Sequence, residues 1–355
     1  MTVLILTSDQ DVTADMAVVE LNARGIPVLR LDPAELPGGV DVSGEYAHGV
    51  FQGHLSVGGR VVSMGGLRSI WVRRPGVPAA RARAASAWLT EEASQALYGM
   101  LRCTDARWMN HPDAARQARH KPWQLWLARE CGLPVPATLI TTFPRVARAF
   151  AERYPDLVVK PVSGAHPGDG ALAVPTTRVR PDEDYRDVAH GPTLLQRRVR
   201  KVADIRLTCV GDRLFAARAA SGTPEVPGIP DIPDAADVVD VRFDPDAGPW
   251  RPVSVPRRVA DAVHAYLTRS QLAYGAFDFA EDADGIWWFL ECNQSGQFGF
   301  VEIETGQPIG RAVAEWLAGE PLGPHTPRVT ETGSAGPAGS PRDTDPTRDT
   351  DPTHP

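Results

Sequence analysis

Three oxygen-bearing side chains stand out near the end of the chain: Asp278 in the stretch YGAFDFA, and Glu291 and Asn293 in IWWFLECN. Both stretches read as strands of one hairpin, turned at EDADG. Alternate residues of a strand share a face, so Glu291 and Asn293 point together. A register pairing Asp278 with Trp287 or Phe289 adds its carboxylate to that face, whereas a one-residue slip removes it. Two carboxylates and a carboxamide oxygen suit magnesium, which proteins commonly hold through one or two carboxylates plus the phosphates of a substrate. The set therefore predicts a bound nucleotide. A carboxylate between Phe277 and Phe279 has a poor structural explanation, because burial without a partner is costly. Asn293 alone reads equally as a turn residue. Cys292 lies between two ligands and points the other way, into the core.

Cations follow. Of 37 basic residues only Lys121, Lys160 and Lys201 are lysines. A compact ammonium differs from a planar guanidinium where a phosphate oxygen meets a point charge. Lys160 ends the apolar run DLVVK and is followed by PVSGAHPGDG, whose N–H groups can close over phosphates. Residues 162 to 170 are the expected lid. Lys121 reads equally as a solvated helix lysine. Arg206 and Arg218, on DIRLTCVG and DRLFAARAA, read by themselves as strand salt-bridge partners. Arg73 and Arg74 read as a basic strand end, and His111 and His166 as substrate contacts or, more commonly for loop histidines, solvated side chains.

The elements that must position these groups follow from periodicity. VLILTSD, TADMAVVELNARG and IPVLRLDP read as strand, amphipathic helix and strand, which predicts a parallel sheet. The first turn lacks G-x-G-x-x-G, so no dinucleotide site is expected there. Residues 45 to 63 suggest a hairpin, SIWVRRP a strand, 81 to 105 a helix, and RWMNHP the end of a first unit near residue 110. A second unit opens with one helix, DAARQARHKPWQLWLARECG, stopped by Gly132. PATLITT, DLVVKP and TLLQRRV read as strands, with a further helix between the first two. DIRLTCVGDRLFAARAA is a hairpin turned at Gly211-Asp212. A Pro- and Asp-rich loop at 222 to 249 precedes the helix VPRRVADAVHAYLTRSQ, and GQPIGRAVAEWLAG is the last helix. From about residue 321 the composition turns to Pro, Gly, Thr and Asp, with DTDPT at 343 and 349, and cannot bury enough apolar surface to fold.

Composition narrows the classes. The 355 residues, 43% apolar, suit two or three packed units. A net charge of −7 gives no basic stripe for nucleic acid. No apolar run spans a bilayer and no signal peptide opens the chain, so no membrane partner and a cytoplasmic location are expected. Cys103, Cys131, Cys209 and Cys292 are scattered, forming neither a disulfide framework nor a zinc site.

Over residues 1 to 320 these stretches resemble the ATP-grasp superfamily, and within it the graspetide synthetases, RimK-like peptide maturases of the microviridin type. HKPWQLWLARECGLPVPAT is similar to the entry helix with a nucleotide-facing lysine, and LVVKPVSG to the second lysine strand. LLQRRVRKVADIRLTCVGDRLFAAR is similar to the adenine hinge and following strand pair, and FDFAEDADGIWWFLECN to the metal hairpin. NQSGQFGFVEIETGQPI points to the graspetide branch, since amino-acid ligases more usually carry N-x-x-P; IWVRRP fits that branch's N-terminal domain. The resemblance implies an α/β (α+β) ATP-grasp fold after a Rossmann-like pre-ATP-grasp domain. Its divisions would be 1–110; 111–320, split into a central subdomain of about 111–195 and a C-terminal one of about 196–320; and a tail, 321–355. It implies ATP and two Mg²⁺ ions as cofactors. Lys121 and Lys160 would meet the α/β-phosphates, Gln196, Arg197, Arg198 and Val199 the adenine, and Asp204 the ribose. Arg206, Arg218 and Lys160 would be catalytic, with both arginines toward the γ-phosphate or acyl phosphate, and Asp278, Glu291 and Asn293 would bind magnesium. The hinge commonly carries Glu directly after Gln, where this chain has Arg197.

The activity so implied is an ATP-dependent cyclase. It would activate Asp or Glu side chains of a ribosomal precursor peptide as acyl phosphates. Ser/Thr hydroxyls or Lys amines would then displace phosphate, closing macrocyclic esters or amides. The partner would be a leader plus an acidic, Ser/Thr-containing core, and a homo-oligomer is compatible. Two alternatives stand beside it. A RimK-like amino-acid or peptide ligase predicts a mass gain rather than water loss. A non-catalytic nucleotide-dependent peptide-binding module predicts ATP binding without turnover.

Overall fold

The computed structural model describes residues 1–78, 86–163, 176–179, 183–221, 247–320 and 329–330. The chain opens with β1 (Thr2–Thr7), α1 (Val12–Ala23) and β2 (Val28–Leu31). Then come β3 (Val40–Ala47), β4 (Val50–Val57), β5 (Arg60–Ser63), β6 (Leu67–Arg74), α2 (Ser86–Arg102) and β7 (Arg107–Met109). Strands β2-β1-β6-β7 form the expected parallel sheet. The hairpin expected over 45 to 63 is instead a three-stranded antiparallel sheet, β3-β4-β5, which with Leu97 and Leu101 of α2 covers one face of the parallel sheet.

The single helix expected to open the second unit is two: α3 (Pro112–Ala118) and α4 (Lys121–Glu130). Pro122 explains the break. In a continuous helix it could not donate to the Ala118 carbonyl, and its ring would clash there. The Gln124 side chain satisfies that carbonyl instead, with Nε2 donating at 2.7 Å. Gly132, at φ +90°, ends the segment in a conformation that favours glycine.

Next are β8 (Thr138–Thr141), α5 (Pro144–Arg153), β9 (Leu157–Lys160), β10 (Thr177–Arg178) and β11 (Thr193–Arg197), in an antiparallel sheet ordered β10-β9-β11-β8. The lid expected at 162 to 170 lies outside the described residues from 164 onward, as does His166, and most of the 222 to 249 loop does likewise. Strands β12 (Lys201–Val210) and β13 (Arg213–Ala220) form the expected hairpin, with Val210 opposite Arg213. They are followed by β14 (Arg251–Pro252), β15 (Val255–Pro256), α6 (Arg257–Ser270), β16 (Tyr274–Asp282) and β17 (Trp287–Asn293). The antiparallel sheet here runs β14-β13-β12-β16-β17. Two helices close the chain, α7 (Gly299–Thr305), which periodicity did not reveal, and α8 (Ile309–Ala318). Of the expected tail, only Val329 and Thr330 are described; they form β18, parallel to β15.

One face of the β12–β17 sheet, with Ile205, Leu207, Phe277, Phe279 and Phe289, packs against α6 and α4. The other buries Val210, Phe215, Ala217, Tyr274 and Ala276 with α8, α1 and β1 at one end, and is open at the other. Glu315 of α8 ties this shared core together, pairing with Arg213 at 2.7 Å, Arg311 at 2.8 Å and Arg24 of α1 at 3.1 Å. Burial alone would push its carboxyl up, but the arginines hold it below the ordinary value.

Candidate active site

The open end of that sheet face carries the polar residues. Cross-strand partners share a face, so β12, β16 and β17 present three rows. The first is Asp204, Ala280 and Trp288; the second Arg206, Asp278 and Glu291; the third Thr208, Ala276 and Asn293. The hairpin register is not uniform. Phe279 faces Phe289, but Asp278 faces Glu291, because Leu290 is accommodated as a bulge. Continued without that bulge, the pairing would set Leu290 opposite Asp278 and turn Glu291 toward the core face. The register therefore differs from both expected pairings, and the expected common face results nonetheless.

Each carboxylate of the set is met by a cation. Arg206 Nη1 donates to Asp278 Oδ1 at 2.6 Å. Lys121, at the N-terminus of α4, lies 3.5 Å from Glu291 of β17 and donates to the carbonyl of Pro161, just after β9, at 2.9 Å, linking those two strands. Burial pushes the Asp278 carboxyl up, Arg206 opposes this, and the Glu291 charge adds to the rise. Burial works against the Arg206 cation, but Asp278 outweighs it and the Arg206 pKa is raised. Asn293 is exposed, and its Oδ1 accepts from the Ser295 N–H at 2.9 Å, the turn role its type allows. Cys292 is buried on the opposite face, where burial pushes its thiol up.

The other expected residues gather in two places. Lys160 donates to Gln196 Oε1 at 2.9 Å, and Gln196 donates to Thr138 Oγ1 at 2.9 Å, all on one sheet face. Lys201 reaches Asp204 at 2.7 Å. The Arg197 guanidinium lies 4.8 Å from the Trp288 ring centroid, and Arg198 Nε is 2.9 Å from Asp156. Arg197, Arg198, Val199 and Trp288 line a hollow of about 270 Å³ at the crossing from β11 to β12. Arg218 is not brought to this group. It faces Ile205, a core residue, and so stands on the opposite side of the sheet from Arg206, where Nε meets Glu281 at 2.6 Å. A two-residue turn at Gly211-Asp212 sets that parity. His111 caps α3 by accepting from the Asp113 N–H at 3.3 Å.

Sequence reasoning singled out the glycine-spaced stretch after Asn293, as shaping the peptide side of the site, but not how the loop 294–297 is held. Four successive carbonyls accept from side chains: Gln294 from Asn110 at 2.9 Å, Ser295 from Arg73, Gly296 from Tyr274 Oη at 2.7 Å, and Gln297 from Arg206 at 3.1 Å. Arg73 is 2% exposed, and burial lowers its pKa against the pull of Asp11. A Cβ on Gly296 would stand 2.4 Å from that of Ala276, so only glycine lets the loop lie on the sheet. The I-W-V-R-R-P signal was available, but nothing in it says that β6 ends against this loop.

The donor set fits magnesium with a nucleotide. Asp278, Glu291 and Asn293 are hard oxygen donors on one face, with cations beside them. Among the described residues no three His, Cys, Asp or Glu side chains gather to hold a metal. A magnesium ion held here would take its remaining ligands from water and the phosphates of a nucleotide.

No protein-family model matches the chain, and no curated protein matches it. Solved structures do. A RiPP-associated ATP-grasp ligase from Chryseobacterium gregarium, in complex with ADP and a leader and core peptide, superposes with TM-score 0.79 at 24% identity, over 90% of this chain and 96% of that one. Macrocyclase MdnC from Microcystis aeruginosa, bound with precursor peptide MdnA, gives 0.76 at 24% identity, over 90% of this chain and 100% of that one. ATP-grasp ligase PsnB, complexed with a phosphomimetic variant of a minimal precursor, Mg and ADP, gives 0.70 at 20% identity, over 89% and 97%. At such identities the likeness shows the fold: this chain has the ATP-grasp fold, preceded by an α/β unit, found in RiPP-associated ligases.

Proposed function

We propose that the protein is an ATP-dependent carboxylate ligase that closes esters or amides within an acidic peptide, in the manner of the graspetide macrocyclases. The observation that carries this reading is the common face of Asp278, Glu291 and Asn293, with Arg206 and Lys121 on its carboxylates, in an ATP-grasp fold. The structural neighbours support the substrate class, since several were solved with precursor peptides.

In the proposed reaction a side-chain carboxylate oxygen attacks the γ-phosphorus of ATP and ADP leaves. A hydroxyl or amine of the same peptide then adds to the acyl carbon, phosphate departs, and the nucleophile's proton passes to solvent. The net change in the peptide is loss of one water per ring. Two anions must meet in the first step, so the site has to cancel their repulsion. Arg206 stands in the second row, where the transferred phosphoryl would lie, with Lys121 on Glu291 of the same row, and Lys160 would meet the phosphates from β9. Asp204 and the hinge hollow suit ribose and base. Magnesium, when held by Asp278, Glu291 and Asn293, supplies charge neutralisation at the phosphates. Arg218, on the opposite face of the sheet and paired with Glu281, has no part in this proposal.

The division into 1–110, 111–320 and a tail, and a cytoplasmic location, belong to this proposal. Cys103, Cys131, Cys209 and Cys292 are free thiols, and no helix among the described residues is long and apolar enough to cross a membrane. The direct test is phosphate release from ATP on adding a Glu- and Thr-containing peptide. Asp278→Ala should lower that rate by about a hundredfold or more, on the scale of losing a transition-state electrostatic contact; a parent-like rate would remove Asp278 from the machinery.

A further inference from the structure

The N-terminal sheet brings two arginines, Arg73 and Arg74 at the end of β6, to the loop end of the site face. Along the site face the hinge lies beside Asp204, and Arg206 follows one row on. From Lys201 to Arg206 the strand covers about 16 Å, room for a nucleotide with its base at the hinge and its last phosphate near Arg206. Beyond that row the loop 294–297 closes the face. An attacking carboxylate, in line with the departing ADP, must therefore come from the loop side.

Three guanidinium groups converge on this loop. Arg73 and Arg206 hold the Ser295 and Gln297 carbonyls from beneath. With its amide assigned by hydrogen bonding, Gln297 Oε1 accepts from Arg74 Nη1 at 2.9 Å and Nη2 at 3.3 Å. Arg206 and Arg74 thus grip the main chain and side chain of one residue. Arg73 is buried and Arg206 is engaged by Asp278, whereas Arg74 and Gln297 are exposed. The nearby acids are Asp11, paired with Arg73 at 3.5 Å, Asp278, paired with Arg206 at 2.6 Å, and Glu291, met by Lys121 at 3.5 Å, so each is matched by a cation other than Arg74.

We propose that Arg74 is a specificity-determining residue that binds the substrate's side-chain carboxylate and hands it to the phosphoryl end of the site. This rests on the carboxylate-ligase reading above and names the residue that selects an acid. In the unliganded protein Gln297 holds the guanidinium fork with a neutral oxygen. A carboxylate offers that fork a charged, bidentate partner and displaces it. The Gln297 carbonyl, tied to Arg206, keeps the displaced side chain within the loop.

The test uses the full-length protein with Mg²⁺ and a non-hydrolysable ATP analogue. The probes are a fluorescein-labelled dodecapeptide of Glu and Thr and its Gln and Thr counterpart, followed by anisotropy. The parent should bind the Glu peptide about tenfold more tightly than the Gln peptide, as a charge-assisted pair outweighs a neutral one. Arg74→Gln should remove that preference while leaving analogue affinity unchanged, and Arg74→Lys should restore part of it. A parent without preference, or an Arg74→Gln protein that keeps it, overturns the inference. Failure of the analogue to bind the parent sinks the ligase reading itself and this inference with it.

Discussion

On the proposed reading, the two carboxylates of the metal set are occupied by the cations that the phosphates would need. Arg206 holds Asp278 and Lys121 approaches Glu291. Binding a magnesium nucleotide then becomes an exchange, in which carboxylates pass from cation to metal and cations from carboxylate to phosphate. Removing one cation should accordingly push the two ligands in opposite directions. Lys121→Met should strengthen binding of Mn²⁺ alone several-fold, measured by its electron paramagnetic resonance signal, and weaken ATP binding by about tenfold, a loss of roughly 1.4 kcal/mol. Weakening of both would instead mark Lys121 as a structural prop of the hairpin. The residue types at this centre were legible because carboxylates do not persist in an aromatic strand without a partner. The grip of Arg73, Arg74 and Arg206 on the 294–297 loop was not, since it depends on β6 ending beside residues more than two hundred positions away.

Among elements, the edge strand β17 is positioned by a helix that the sequence reads as longer than it is. Gln124 of α4 donates through Nε2 to the Cys292 carbonyl at 3.0 Å and accepts from the Cys292 N–H at 2.9 Å. The same amide satisfies the Ala118 carbonyl that Pro122 cannot reach. One side chain therefore repairs the helix break and fixes the residue between Glu291 and Asn293. Gln124→Ala leaves these groups buried without partners, and each orphan costs about 1–3 kcal/mol. Urea denaturation should show a loss of at least about 2 kcal/mol, with Gln117→Ala, on an exposed position of α3, near zero. An unchanged midpoint for Gln124→Ala would mean the amide is not holding the strand. The hairpins at Gly211-Asp212 and EDADG were legible from turn chemistry and alternation. The Leu290 bulge was not, because strict alternation in WWFLECN would put Phe289 and Glu291 on one face, and only the cross-strand packing of β17 on β16 separates them.

At the scale of the molecule, the parallel sheet at the N-terminus and the antiparallel sheet carrying the site share one core through α8 and α1. Asn110, just after β7, strengthens the seam with four hydrogen bonds to Ala273, Tyr274 and Gln294. That union sets β6, and so Arg74, against the loop that closes the phosphoryl end. The β-α-β opening was readable from periodicity, but the shared core joins residues some three hundred positions apart, which no local pattern reports. The proposed function takes this site, with the β11–β12 crossing at one end and an arginine-bearing sheet at the other, to join groups of one acidic chain. The most direct measurement is the intact mass of a peptide rich in Asp, Glu, Ser and Thr after incubation with the protein, ATP and Mg²⁺. The account predicts loss of one or more whole water masses, dependent on ATP. An unchanged mass while ATP is hydrolysed in a peptide-dependent manner, or a gain equal to an added amino acid, would contradict intramolecular closure.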